Sequence, residues 1–113
     1  MGEGAVPDRG DQGSEREQRR AARKVIASYH DEQLRLLLER VREGFVRMDA
    51  GEIDAFELDE LIHRYKRSAQ KLWSFCGQTG SQWLTAARTL EYWGERGQAA
   101  ADWWAAGEPR SRR

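Results

Sequence analysis

Residues 34 to 65 read LRLLLERVREGFVRMDAGEIDAFELDELIHRY, and this stretch decides the fold of the chain. It contains two segments whose apolar residues recur at alternating spacings of three and four, which is the pattern of an amphipathic helix. In the short connection between them, Gly51 can end one helix and Asp54 can cap the next. Glu57 follows Asp54 in the manner of a capping box. Two helices with so short a link are predicted to fold back as an antiparallel hairpin.

The two predicted helices carry matching apolar seams. The first, from about residue 15 to 48, places these residues on its seam: Leu34, Leu38, Val41, Phe45 and Met48. The second, from about residue 55 to 75, has a seam made of Leu58, Ile62, Tyr65, Ala69, Leu72 and Cys76. Counting outward from the connection gives the predicted pairs Leu58 with Phe45, Ile62 with Val41, Tyr65 with Leu38, and Ala69 with Leu34.

The C-terminal part contains all five tryptophans, between Trp73 and Trp104. Ser81 is a suitable cap for a third helix from residue 82 to about 96, and Gly97 is well placed to end it. Residues 102–105, DWWA, follow as a short anchoring turn. No segment alternates as a strand would. The predicted fold is therefore all-α: a long antiparallel helical hairpin, capped by a third shorter helix and a Trp-rich C-terminal turn.

The composition predicts one helical domain with polar ends. Residues 1–14 contain four glycines and no aromatic residue, so we expect a disordered N-terminal arm. Residues 15–106 form the predicted domain, and residues 107–113 a frayed basic tail. A single cysteine excludes an internal disulfide and favours a reducing cytoplasm. No apolar run approaches the ~18 residues of a membrane span, so we expect no membrane association.

The first helix has more apolar surface than one partner helix can cover. At ~100° per residue, its apolar residues extend over more than half of its circumference. Either the third helix and the Trp103–Trp104 turn cover this arc from within, or another chain does so as a homodimer or protein partner. The predicted partner-binding residues are Val25, Ile26, Tyr29, Leu36, Leu37, Trp103 and Trp104.

Basic side chains supply an alternative surface. Nineteen basic and nineteen acidic residues balance, so the chain as a whole has no nucleic-acid footprint. Locally, Arg64, Arg67 and Lys71 share the side of the second helix opposite its seam. They can contact phosphates together with Arg19, Arg20 and Arg23. The same charges also suit the dipole of a helix whose face is simply solvated.

The sequence offers no converging set of catalytic groups. His30 and Cys76 can approach each other in the hairpin, but a buried seam cysteine is usually a small hydrophobe. Neither C-x-x-C nor H-x-x-x-H spacing occurs, and a metal needs three or four ligands. We therefore expect no enzyme activity, metal, cofactor or small-molecule substrate. The predicted function is a non-enzymatic helical interaction module; the alternative is a small nucleic-acid-associated regulatory protein.

Three segments carry a resemblance to known proteins: GEIDAF at 51–56, YKRSA at 65–69 and DWWAAGEPR at 102–110. The chain resembles a group of small all-helical actinobacterial proteins without an assigned activity, which end in a D-W-W-x-x-G-x-P-R-like segment. The resemblance extends over roughly residues 25 to 110. It implies a cytoplasmic bacterial protein and assigns no catalytic or binding residue.

Overall fold

The structure is a computed structural model that describes residues 5–77, 80–97 and 101–109. These residues form α1 (Ala5–Asp49), α2 (Ala55–Cys76), α3 (Gly80–Glu95) and α4 (Trp103–Ala106), and they contain no strand. The predicted all-α class is confirmed. Helix α1 begins well before residue 15 and includes residues 5–14, which the sequence assigned to an arm. The disorder of that arm stays a prediction, and residues 110–113 of the predicted tail lie outside the described residues.

The connection between α1 and α2 forms as the sequence predicts. Gly51 adopts a φ of 78°, a left-handed conformation that favours glycine, and its amide donates to the Met48 carbonyl at 3.0 Å. The Asp54 carboxylate accepts from the Glu57 amide at 2.8 Å, and the Glu57 carboxylate accepts from the Asp54 amide at 2.9 Å. This reciprocal pair is a capping box, so the predicted start of α2 is confirmed.

The chain divides into two compact units. The first comprises Met1–Ser28 and Cys76–Ala99, and in it α3 packs against the N-terminal part of α1. Ala22 and Ile26 of α1 and Ala86 of α3 are buried. The second unit comprises Tyr29–Phe75 and Ala100–Arg113, and contains the helical hairpin with α4. No helix among the described residues is long and apolar enough to cross a membrane.

In the hairpin of the second unit, α1 is rotated about its own axis relative to the predicted seam, so a neighbouring set of residues faces α2. Leu37 is only 3% exposed and Gly44 is buried, whereas Leu38 and Phe45 are each 47% exposed. Gly44 is the reason, because its missing side chain lets α2 approach closely. A Cβ at this position would lie 2.8 Å from Cδ1 of Leu58 and 3.1 Å from Cδ1 of Leu61. Leu58 was predicted to pair with Phe45, and in the structure it lies against Gly44, one residue earlier.

The C-terminal segment of the second unit, residues 101–109, is anchored on α2. The Asp102 carboxylate caps α4 by accepting from the Ala105 amide at 3.1 Å. Gly107 then lies directly on the backbone of α2. A Cβ there would overlap the Ser68 hydroxyl and lie 2.7 Å from the Ser68 nitrogen and 2.8 Å from the Arg64 carbonyl oxygen. Only glycine fits at this approach.

Candidate functional site

Apolar side chains remain exposed along one side of the hairpin in the second unit. Leu38 and Phe45 of α1 are 47% exposed, and Trp73 of α2 is 50% exposed. Each directly follows a buried residue (Leu37, Gly44 and Leu72), so each is turned ~100° away from the contact between the helices. We define the open face as these three residues with their partly buried neighbours Leu34, Val41, Ile62, Tyr65 and Ala69.

The exposed residues of both helices stand on the same side of the hairpin. Viewed from the N-terminal end of α1, successive residues of α1 turn clockwise, because that helix runs away from the viewer. Successive residues of the antiparallel α2 turn anticlockwise, because it runs toward the viewer. Because the two helices face each other, these opposite rotations carry Leu38, Phe45 and Trp73 to one side. The open face is therefore continuous across α1 and α2, and all its members are apolar or aromatic.

The other side of the hairpin is covered by the C-terminal segment. The guanidinium groups of Arg40 and Arg64 lie 5.4 Å and 4.7 Å from the ring centroid of Trp104. Nε of Arg64 donates to the Trp104 carbonyl at 3.0 Å, and Nε of Arg67 donates to the Gly107 carbonyl at 2.7 Å. Arg64 and Arg67 therefore hold the C-terminal segment and are not the simply solvated bases that one reading of the sequence describes. Lys71, the third member of that predicted set, is exposed.

Trp103 anchors the same segment through aromatic contacts. Its indole nitrogen donates to the Tyr29 hydroxyl at 2.8 Å. The Phe75 ring contacts both, with its centroid 5.3 Å from that of Trp103 and 5.9 Å from that of Tyr29. Tyr29, Trp103 and Trp104 were predicted to bind a partner. In the structure they bind one another or the hairpin, so the C-terminal turn covers this part of the arc from within the chain.

The rest of the predicted arc divides into buried and exposed residues. Ile26 and Leu37 are each 3% exposed, so the chain itself covers both side chains, and their contact with a partner stays a prediction. Val25 is 50% exposed and Leu36 is 59% exposed. In the first unit, Val25 borders a shallow groove between α1 and α3 whose apolar lining includes Ala21, Ala22, Leu84, Ala87 and Leu90.

The N-terminal arginines belong to the first unit and make contacts along its surface. The Arg23 guanidinium lies 5.2 Å from the ring centroid of Trp83, which is within the range of a cation–π interaction. Arg19 pairs with Glu15 at 3.8 Å, an exposed ion pair of small energetic value. Arg20 is exposed. Arg64, Arg67 and Lys71 belong to the second unit.

His30 and Cys76 lie in environments that suit neutral side chains. The His30 ring packs edge-on against Trp73, with centroids 4.9 Å apart, and its buried Nε2 has no hydrogen-bond partner among the described residues. Burial lowers the pKa of His30, opposed in part by Asp31. Burial raises the pKa of the Cys76 thiol to about 11, which leaves it a poor nucleophile. No group of three or more metal-ligating side chains occurs among the residues that the structure describes.

Sequence comparison gives no relative from which a role could be transferred: no protein family, curated protein or solved structure matches this chain. Its function must be inferred from its own surfaces. The surface that sequence reasoning missed is the open face, because Leu38 and Phe45 were assigned to the seam. Gly44 is the signal that could have revealed it. A glycine inside a helix costs ~1 kcal/mol relative to alanine, and a close helix approach explains its presence.

Proposed function

We propose that this chain is a non-enzymatic interaction module that binds a helical protein partner through the open face. The observation that carries the proposal is the half exposure of Leu38, Phe45 and Trp73 on one side of two adjacent helices. Single exposed apolar residues are ordinary on protein surfaces, but a contiguous apolar patch marks an interaction site. The open face is such a patch, and charged side chains occur only along its edges.

The energetic reason for binding is the apolar area that this face leaves in water. Full burial of a large apolar side chain is worth roughly 1.5–3 kcal/mol, and about half of that remains to be gained at each exposed member. Aromatic residues such as Phe45 and Trp73 also supply much of the binding energy in protein interfaces. An amphipathic helical surface is the complementary shape, since helices pack through interlocking rows of side chains.

Site-specific photo-crosslinking in the cells that produce the protein tests this proposal. A photoreactive amino acid is placed at Phe45 in the full chain, and the matched control carries it at Val46. Val46 is 60% exposed but turned ~100° away from the open face. We expect protein adducts from position 45 and not from 46, and loss of binding to the purified adduct partner in Phe45→Glu. Equal labelling from both positions, or none from 45, contradicts the proposal.

The nucleic-acid alternative has less support from the contacts that the structure describes. Arg64 and Arg67 donate to the C-terminal segment, and Arg23 lies over Trp83. A role for the remaining exposed bases stays a prediction, as does the cytoplasmic, bacterial setting. Steep loss of nucleic-acid affinity between low and physiological salt would favour this alternative.

A further inference from the structure

We infer that the second unit contains a peptide-recognition groove, and that residues 101–109 are its intramolecular ligand, which docks and undocks as a unit. The groove is made of the residues of α1 and α2 that contact this segment: Tyr29, Arg40, Arg64, Arg67, Ser68 and Phe75. The ligand class is a short peptide with two adjacent tryptophans and a glycine three residues after the second. The inference goes beyond the proposed function, because the groove and the open face share no residue.

The groove reads three side-chain positions of the segment. Gly107 is buried on α2, where a Cβ would overlap the Ser68 hydroxyl, so a clash excludes any larger residue. The centroid of the Trp104 ring lies 4.7 Å from a guanidinium of α2 and 5.4 Å from one of α1, distances that suit cation–π contacts. The Trp103 indole nitrogen donates to the Tyr29 hydroxyl. Contacts that depend on side-chain type let the groove distinguish one peptide sequence from another.

The groove also binds the backbone of the segment. Nε of Arg64 donates to the Trp104 carbonyl at 3.0 Å. Nε of Arg67 donates to the Gly107 carbonyl at 2.7 Å, three residues further along the segment. Every peptide has such carbonyl groups, so these two bonds supply affinity and fix the register, whereas the tryptophans and the glycine supply selectivity.

The segment keeps its bound shape through its own hydrogen bonds. The Asp102 carboxylate accepts from the Ala105 amide at 3.1 Å, and the Asp102 carbonyl accepts from the Ala106 amide at 3.0 Å. The Gly107 amide donates to the Trp103 carbonyl at 3.2 Å. These bonds all close within a few residues, so a free peptide of the same sequence contains every group that the groove contacts.

Deep burial contributes little to holding the segment. None of the four residues of α4 is buried, and the Arg64 side chain is 26% exposed. Water can therefore take over the bonds to the carbonyl oxygens when the segment leaves. Segments with few buried apolar contacts open at a lower free energy than the core around them. The segment should thus leave the groove while the α1–α2 hairpin stays folded.

Tethering keeps the groove occupied by its own segment. A ligand on a flexible part of the same chain has an effective concentration of roughly millimolar, so a free peptide competes poorly with it. A change in the segment that weakens docking raises the fraction of free groove. The apparent affinity for a free peptide then rises in proportion to that fraction.

The test is the binding of a fluorescently labelled peptide of residues 101–109, ADWWAAGEP, to the full chain, measured by fluorescence anisotropy. We expect at least several-fold tighter binding to the Gly107→Ala chain, whose own segment is unseated, than to the unchanged chain. The matched control is the Gly94→Ala chain, which should bind like the unchanged chain because a Cβ there meets no atom within 4 Å. A peptide that itself carries Gly107→Ala should not bind any of these chains.

A change in the groove should have the opposite effect to a change in the segment. Adding Arg67→Met to the Gly107→Ala chain removes one donor to the peptide backbone and should weaken peptide binding several-fold. Lys71→Met in the same background alters an exposed side chain outside the groove and should leave binding unchanged. Equal binding by both double variants, or equal binding of the two peptides, overturns the inference.

Hydrogen exchange of the full chain measures undocking directly. The amides of residues 105–108 should exchange faster than the slowest amides of α2, and faster still in the Gly107→Ala chain and in a Trp104→Ala chain. The inference is overturned if these amides stay protected in both variants, because the segment then does not undock as a unit. It is equally overturned if they lose protection and the peptide still fails to bind. Neither result bears on the open face, which the photo-crosslinking experiment tests separately.

Discussion

The two sides of the hairpin in the second unit differ in how they are covered, and the difference separates a groove that already holds a segment of the chain from a face that is still exposed. On one side the C-terminal segment is held by directional contacts: Arg64 and Arg67 bind its carbonyl oxygens, and Gly107 lies on the α2 backbone. On the other side the open face offers area and almost no hydrogen-bonding groups. Directional contacts fix one conformation, whereas an apolar face can gain and lose a partner without leaving buried polar atoms unsatisfied.

The largest expected contrast comes from adjacent leucines on α1. Leu37→Ala removes a buried side chain and should cost about 2–5 kcal/mol of unfolding free energy, because a cavity remains. Leu38→Ala should cost under ~1 kcal/mol, because its side chain is already half in water. Urea unfolding at low protein concentration measures both. A larger loss in Leu38→Ala than in Leu37→Ala would mean that the hairpin has the seam predicted from sequence and not the one observed.

A second contrast uses two glycines. Gly107→Ala forces a methyl group against Ser68 and should destabilise the chain by about 1–3 kcal/mol, because the segment must move off α2. The control is Gly94→Ala in α3, where a Cβ would meet no atom within 4 Å. That change should be neutral or stabilising by up to ~1 kcal/mol, since alanine favours helix. A Gly107→Ala protein with unchanged stability and an unshifted tryptophan fluorescence spectrum would contradict the close approach.

A smaller effect is expected where the covered side loses one directional contact. Arg67→Met keeps most of the aliphatic packing but removes the donor to the Gly107 carbonyl. The cost should be about 1 kcal/mol, the usual net value of such a hydrogen bond. Thermal melting compares it with Lys71→Met, which alters an exposed side chain on the same helix. If both changes have the same effect, the Arg67 contact contributes nothing to anchoring the segment.

The smallest expected effect is a pH dependence from His30. Its pKa is lowered in the folded state from the ordinary 6.5, so the unfolded chain binds the proton more readily. Above pH 6.5, His30 is neutral in both states and should not lower the free energy of unfolding. As the pH falls from 6.5 toward the folded pKa, the free energy of unfolding should decrease. Comparison with His30→Gln isolates this contribution from that of the carboxylates. Parallel stability curves for the two proteins over that range would contradict it.

Local signals in the sequence were sufficient for the all-α class and for the connection between α1 and α2. Gly51, Asp54 and Glu57 act through atoms a few residues apart, so their roles could be predicted without knowing the fold. The seam could not be assigned to the correct residue in the same way. Leu37 and Leu38 are equally apolar and adjacent, and only the approach of α2 at Gly44 decides which of them is buried.

For the candidate site too, part could be predicted from local sequence and part depended on contacts between distant segments. The sequence correctly indicated that α1 has more apolar surface than α2 can cover, because helical periodicity follows from residue order alone. It left open whether the Trp103–Trp104 turn or another chain covers that surface, and it did not show that Arg64 and Arg67 hold the C-terminal segment, since they look like solvated bases until the Trp104 and Gly107 carbonyls are beside them.

The sequence by itself thus determined that this chain is helical, where α2 begins, and that apolar surface exceeds what a simple hairpin buries. Only the tertiary structure decided which apolar residues are left over. The physical reason is that periodicity fixes directions around one helix, whereas burial depends on contacts between segments far apart in the chain. Here Gly44 lets α2 approach closely, and the C-terminal segment is held on the opposite side of the hairpin. Leu38, Phe45 and Trp73 are therefore left at the surface.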